Sequence, residues 1–190
     1  MAYSLLVIDN FYSNPDSVRQ FALSQSFDVV GNFPGKRTKP FLNDDTKEWI
    51  SHHMHATSGK ILWPPEEENL YCGAFQFTTA QDRTWIHSDG FNGWAGVLYL
   101  TPNAPLTSGT ATFRHKETGL TRSPSNPQEV DKIRKDGYDI TKWEIVDSIS
   151  NVYNRLVLYD AKLFHASRDY FGQNINNGRL FQTFFFNTER

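Results

Sequence analysis

Arg155-Leu156-Val157-Leu158-Tyr159-Asp160 is the stretch on which the fold turns. Its apolar positions are consecutive rather than alternate and number too few for a helix, which is the pattern of a short strand covered on both faces. Immediately after it, Leu163-Phe164-His165-Ala166-Ser167 reads as a second short strand with a histidine near its start. Working outward, Arg179 to Asn187, Leu70 to Thr78, Arg83 to His87, Trp94 to Thr101, Gly109 to His115 and Trp143 to Ser148 have the same character. All are short, rich in aromatic and branched residues, and broken by Gly, Pro, Asn and Asp. Eight such strands suit a mostly β fold with flanking helices, a double-stranded β-helix or jelly-roll barrel of the cupin-like kind.

Two helices are expected ahead of the barrel. Asn14-Pro15 offers a cap and a proline at the first helical position, followed by Val18, Phe21 and Ala22 at helical spacing. A second helix is expected from Asp44 to Thr57, with Trp49, Ile50, His53 and Met54 as its apolar stripe and Gly59 as its stop. At 190 residues the chain is read as one domain over 1–190. Residues 1–65 supply an N-terminal strand and helices packing on the barrel, 70–188 the jelly-roll core, and 116–142 a polar, lid-like insertion carrying a short solvated helix.

Composition narrows the functions. Nineteen Lys and Arg against twenty-one Asp and Glu leave a charge of -2, which provides no electrostatic footprint for nucleic acid and no polybasic anchor for a membrane. The single Cys72 lies in an apolar run and reads as an inert buried thiol in a reducing compartment. The start, Met1 to Asp9, lacks a basic region and is too briefly apolar for a signal peptide or a membrane span, so a cytoplasmic protein is expected. A homodimer is conceivable, but no heptad or exposed apolar face supports it.

Chemistry is concentrated in Trp85-Ile86-His87-Ser88-Asp89-Gly90. Side chains alternate along an extended chain, so His87 and Asp89 leave the same face and can reach one metal. Composition alone supplies roughly 0.7 His-x-acid triplets in such a chain, so the pair carries weight only with a third ligand. His165, on a distant strand, is that candidate. Two histidines and one carboxylate on one face of an octahedron leave room for a chelating cosubstrate and dioxygen, the arrangement of non-heme Fe(II) oxygenases. Fourteen residues after His165, the strand Arg179 to Asn187 opens with a guanidinium. An arginine pointing into a barrel needs an anion, a carboxylate matches it bidentately, and Thr183 on the same strand face offers a hydroxyl. The plainer alternative puts Arg179 at the strand's exposed end, paired with a surface acid.

In order, His87-Ser88-Asp89, Val97-Leu98-Tyr99-Leu100-Thr101, Ser108-Gly109-Thr110-Ala111-Thr112-Phe113, Arg155 to Tyr159, His165 and Arg179 to Asn187 resemble the prolyl 4-hydroxylase-like branch of the Fe(II)/2-oxoglutarate oxygenase superfamily. The likeness covers about Leu70 to Thr188. It implies that His87, Asp89 and His165 bind iron, that Arg179 holds the distal carboxylate of 2-oxoglutarate, and that Tyr99 and Thr183 assist. It implies a dioxygenase that splits 2-oxoglutarate with dioxygen into succinate and carbon dioxide and oxidises a substrate, hydroxylation being the commonest outcome. Two departures stand out. Phe77 occupies the position of a tyrosine that some members place near the iron-bound end of the cosubstrate, and the interval from His165 to Arg179 is long, which leaves Arg168 as a competitor for the anion. Trp85, Arg114 and Phe77 are candidates for the substrate pocket. The substrate itself, a small molecule or a peptidyl side chain, is not specified.

Other features carry less. His52-His53-Met54-His55 puts only His52 and His55 on one helical face and reads as a solvated surface. His115 ends a strand and is expected to face solvent. The rival readings are a cupin-type metal-dependent isomerase or hydrolase without 2-oxoglutarate, and a non-catalytic jelly-roll module that binds a ligand through its aromatics.

Overall fold

The computed structural model describes residues 4–189, apart from the side chains of 56–58. In chain order the elements are β1 (Leu5–Ile8), α1 (Pro15–Leu23), β2 (Lys36–Pro40), α2 (Asp44–Ser58), β3 (Ile61–Leu62), β4 (Ala74–Thr78), β5 (Trp94–Tyr99), β6 (Thr110–His115), α3 (Pro127–Asp136), β7 (Trp143–Ile149), β8 (Leu156–Asp160), β9 (His165–Ser167) and β10 (Arg179–Thr188). The larger sheet runs β1-β8-β5-β10-β4-β2, with β3 also on β10, and the smaller runs β7-β6-β9. Every pairing between these strands is antiparallel. This is the expected jelly roll, mostly β with flanking helices, α1 and α2 on the larger sheet and α3 beside the smaller.

Alternation along the central strands explains the layers. Leu98, Leu156, Leu158, Leu180, Phe184 and Phe186 point to one face, where Ala22 of α1 and Ile50 and Met54 of α2 cover them. Val97, Tyr99, Val157, Tyr159 and Phe181 point to the other, where Ile149 of the smaller sheet joins them. Covered on both faces, β5 is buried at all six positions, which is why its sequence is apolar without alternation. Each large side chain so buried contributes about 1.5–3 kcal/mol.

The helix signals hold at residue level. Asn14 accepts a hydrogen bond from the Ser17 N–H and Asn43 from the Thr46 N–H, while Gly59 ends α2 at φ 83°. Three strand expectations change. Arg83 to His87 forms no strand: His87 makes a single bridge to His165, and the Ile86 N–H is drawn to Gly137 O in the insertion. Leu70 to Thr78 is a strand only from Ala74. β2, reading Lys-Arg-Thr-Lys-Pro, was not anticipated because its residue types look like loop. The insertion contains the expected helix, α3, largely exposed but anchored by Ile133, which is buried in a cluster with Ile86, Trp143 and Phe164. Among the described residues no helix is long and apolar enough to cross a membrane.

Candidate metal centre

The loop after β4 and the edge strand β9 meet through reciprocal hydrogen bonds, His87 N–H to His165 O at 3.1 Å and His165 N–H to His87 O at 2.8 Å. The two histidines are thus set directly opposite one another. Asp89, held by its N–H to Ala161 O at 2.8 Å, completes the group. One ligand atom from each of His87, Asp89 and His165 lies within 4.8 Å of the others, and this is the one such cluster of three or more among the described residues. Asp89 Oδ1 is 3.7 Å from His87 Nε2, and Oδ2 is 3.3 Å from His165 Nε2. Metal bonds of about 2.1 Å set neighbouring ligand atoms about 3 Å apart, so the three side chains would draw together around a bound ion.

The imidazoles are oriented in advance. Nδ1 of His87 lies 3.0 Å from Trp85 O, and Nδ1 of His165 lies 2.8 Å from Leu163 O. A carbonyl only accepts, so each ring carries a proton on Nδ1 and turns Nε2 inward, the orientation a metal needs. Burial, reinforced by His165, pushes His87 down to about 4, which keeps it neutral at ordinary pH. For Asp89 burial works against ionisation, but His165, His87 and Arg37 outweigh it and hold the carboxyl below the usual carboxylate range.

Arg179 lies on the inner face of β10 and is 0% exposed, which removes the alternative of an exposed strand end. Its Nε donates to Ser108 O at 2.8 Å, whereas Nη1 and Nη2 are buried without a hydrogen-bond partner among the described residues. Its guanidinium carbon sits 4.4 Å from the Phe181 ring centre and 5.3 Å from that of Tyr99. Two parallel unpaired donors in an apolar surround fit a carboxylate. Tyr99 donates to Thr110 Oγ1 at 2.8 Å, which fixes its hydroxyl beside this arginine. Thr183 shares the inner face, but its hydroxyl is engaged by Tyr71 O at 3.0 Å and Ala74 O at 3.2 Å.

Above the cluster lies a cavity of 940 Å³, within the range of small-molecule sites. Trp85 lines it, as the sequence suggested. Phe77 and Arg114 do not. Phe77 pairs with Leu180, so it shares that residue's outward face and packs edge-on against Phe27 at 5.1 Å; Gln76 is the inward residue there. Arg114 projects outward and pairs with Glu144 on the surface. Arg168 donates to Ser148 Oγ at the surface, which leaves Arg179 as the interior cation on the C-terminal half of the barrel. His115 is another correction: it is 0% exposed, with ring nitrogens 3.0 Å from Thr118 Oγ1 and 3.0 Å from Asp136 Oδ2, and so ties β6 to the end of α3. His52 stacks on Trp49 at 5.8 Å instead of gathering with its neighbours into a metal site.

Sequence reasoning missed Tyr159 and Arg37. Tyr159 packs at 4.5 Å on His165, and burial followed by Asp89 raises it far enough to stay protonated. Its place on the inner face followed from β8 alternation. Arg37 was hidden with β2.

A family model described as Family of unknown function (DUF6445) matches residues 2–186. No curated protein matches the sequence. Among solved structures, HygX from Streptomyces hygroscopicus with nickel and 2-oxoglutarate bound is similar at a TM-score of 0.61 and 12% identity, over 97% of this chain and 83% of that one. AviO1 from Streptomyces viridochromogenes is similar at 0.55 and 15% identity, over 96% and 89%. A prolyl hydroxylase from Trichoplax adhaerens, in complex with a hypoxia inducible factor oxygen degradation domain peptide fragment, is similar at 0.52 and 14% identity, over 96% and 83%. At these identities the likeness establishes the fold alone, a jelly roll shared with these proteins.

Proposed function

We propose that this chain, which belongs to the DUF6445 family, is a non-heme Fe(II) and 2-oxoglutarate-dependent dioxygenase that hydroxylates its substrate. One observation carries the reading. The inner face of the same barrel presents a His-Asp-His cluster and, on β10, a fully buried arginine with two unpartnered nitrogens. A metal site alone would suit the cupin-type rival; an orphaned buried guanidinium is costly unless an anion completes it.

His87, Asp89 and His165 would hold the iron, and Arg179 the distal carboxylate of 2-oxoglutarate. Iron and cosubstrate together supply the activation of dioxygen and the oxidising power. The chain's own part is positional. The Trp85 and Leu163 carbonyls fix a proton on Nδ1 of each ring and aim both Nε2 atoms inward. The Tyr99 to Thr110 hydrogen bond spans the two sheets and keeps the phenol beside Arg179. Tyr159, kept neutral, shields one side of His165 from water. Thr183 steadies the chain at Tyr71 and Ala74, a supporting role.

Anaerobic titration of the metal-free protein with Fe(II) and then 2-oxoglutarate tests this reading. A weak visible charge-transfer band is expected in the parent and not in His87→Ala. Iron binding without that band favours the cupin-type rival, and failure to bind iron favours the non-catalytic module.

A further inference from the structure

A second interior cation stands on β2, the edge strand of the larger sheet, and lines the cavity above the ligand cluster. Arg37 of β2 pairs with Gln76, Gln76 with Phe181, and Phe181 with Tyr99, so all four stand in one row across the inner face. Arg37 is 7% exposed. Its guanidinium carbon lies 3.9 Å from the Phe33 ring centre and 4.9 Å from that of Tyr71, so two aromatic faces fix its plane. Nε and Nη2 both donate to Gln76 Oε1, the former at 2.8 Å. Gln76 is held in turn by its Nε2 donating to Pro34 O at 2.6 Å.

This mounting leaves a charge without a counter-ion. The amide of Gln76 is neutral, and no carboxylate among the described residues forms an ion pair with Arg37. Nη1 has no hydrogen-bond partner among the described residues, and neither does the Tyr71 hydroxyl; Arg37 and Tyr71 both line the cavity. Burial pushes Arg37 down to about 10, still fully charged at neutral pH. Asp89 is the acid whose field favours that charge, and a metal bound there would neutralise it.

We propose that Arg37 is a specificity-determining residue that binds a carboxylate of the substrate. The inference rests on the oxygenase reading, in which Arg179 is taken by the cosubstrate. A carboxylate fits better than a phosphate dianion because one free guanidinium nitrogen is on offer, beside one phenol, whereas a dianion calls for several donors. The rigid stacking of Arg37 adds selectivity: the anion must come to a fixed donor, which sets how far from the iron the reacting carbon can lie.

The test is calorimetric, on protein loaded with Ni(II) and saturated with 2-oxoglutarate. Probes are benzoate, 4-phenylbutyrate and N-acetylglycine, each with its neutral amide. The parent is expected to bind at least one carboxylate about ten-fold or more tightly than the matching amide. Arg37→Met is expected to lose that preference while its affinity for 2-oxoglutarate stays within about two-fold of the parent. Arg37→Lys, which keeps a charge, is expected to retain part of it, so that damage to the fold and loss of charge are told apart. Equal binding of acid and amide by the parent, a preference that survives Arg37→Met, or no carboxylate binding at about 10 mM would each overturn the proposal. Failure of the oxygenase reading shows separately, as absent 2-oxoglutarate binding by the parent.

Discussion

Replacing Arg179 by Met separates stability from ligand response. The unbranched methionine fills most of the volume and deletes two buried nitrogens that have no partner. Relief of each is about 1–3 kcal/mol. Against this stand the lost hydrogen bond to Ser108 O and the lost contacts with Phe181 and Tyr99, together about 1–3 kcal/mol. The variant without ligands is therefore expected to lie between about 1 kcal/mol less and about 5 kcal/mol more stable than the parent, whereas truncating an ordinary core residue costs about 2–5 kcal/mol. The ligand response moves the other way. At one hundred times its dissociation constant a ligand stabilises by about 2.7 kcal/mol, or about 5–10 °C in melting temperature for a chain of this size. Losing two charge-assisted bonds at about 1.5 kcal/mol each weakens 2-oxoglutarate at least about 100-fold. The same concentration then yields about 0.4 kcal/mol, or about 1–2 °C. Thermal melts with Mn(II), with and without 2-oxoglutarate, read both quantities. A cosubstrate shift preserved in Arg179→Met, or a ligand-free variant more than about 2 kcal/mol less stable than the parent, would refute the reasoning.

Three further outcomes follow from other parts of the site. His87, held down at about 4 by burial, binds its proton less readily folded than unfolded. The stability it contributes is complete above the unfolded value near 6.5 and is lost as pH falls through 4; in chelator, the melting temperature of the parent should fall more steeply over that window than that of His87→Gln. His115→Ala strips partners from Asp136 and Thr118 and is expected to cost about 2–4 kcal/mol, a drop of about 4–16 °C, with α3 amides exchanging hydrogen faster than those of β8. Gly109→Ala would set a Cβ 1.8 Å from Ile149 O, a backbone atom that cannot yield freely; we expect a loss above about 2 kcal/mol and weaker 2-oxoglutarate binding, since Ser108, next in the chain, holds Arg179.

What the sequence discloses tracks how local each cause is. Asn14-Pro15 and Gly59 act within one turn, so both N-terminal helices were legible. The buried runs of β5, β8 and β10 follow from hydrophobicity alone, and the ligand cluster was legible because His87 and Asp89 are two residues apart while His165 opens a short strand. The failures are matters of parity and partnership. Whether Phe77 or Gln76 faces inward depends on pairing with β10, a contact about one hundred residues away in sequence. His115 looked solvent-facing because Asp136, its partner, lies across the insertion. β2 escaped because its Lys-Arg-Thr-Lys-Pro sequence is polar, although Arg37 and Thr38 are both buried. The wrongly expected strand at Arg83 to His87 has suitable residues but no neighbouring strand to complete it.

The reciprocal bridge between His87 and His165 has a kinetic consequence. Two of the three ligands are opposite members of one peptide pair, so the spacing of their backbones is set by main-chain hydrogen bonds, while Trp85 O and Leu163 O hold each ring at Nδ1. Release of a bound ion should then wait on the opening of that pair. Its residence time would be governed by how often a short seam between a loop and a sheet edge breathes, and anything that clamps the seam would lengthen it.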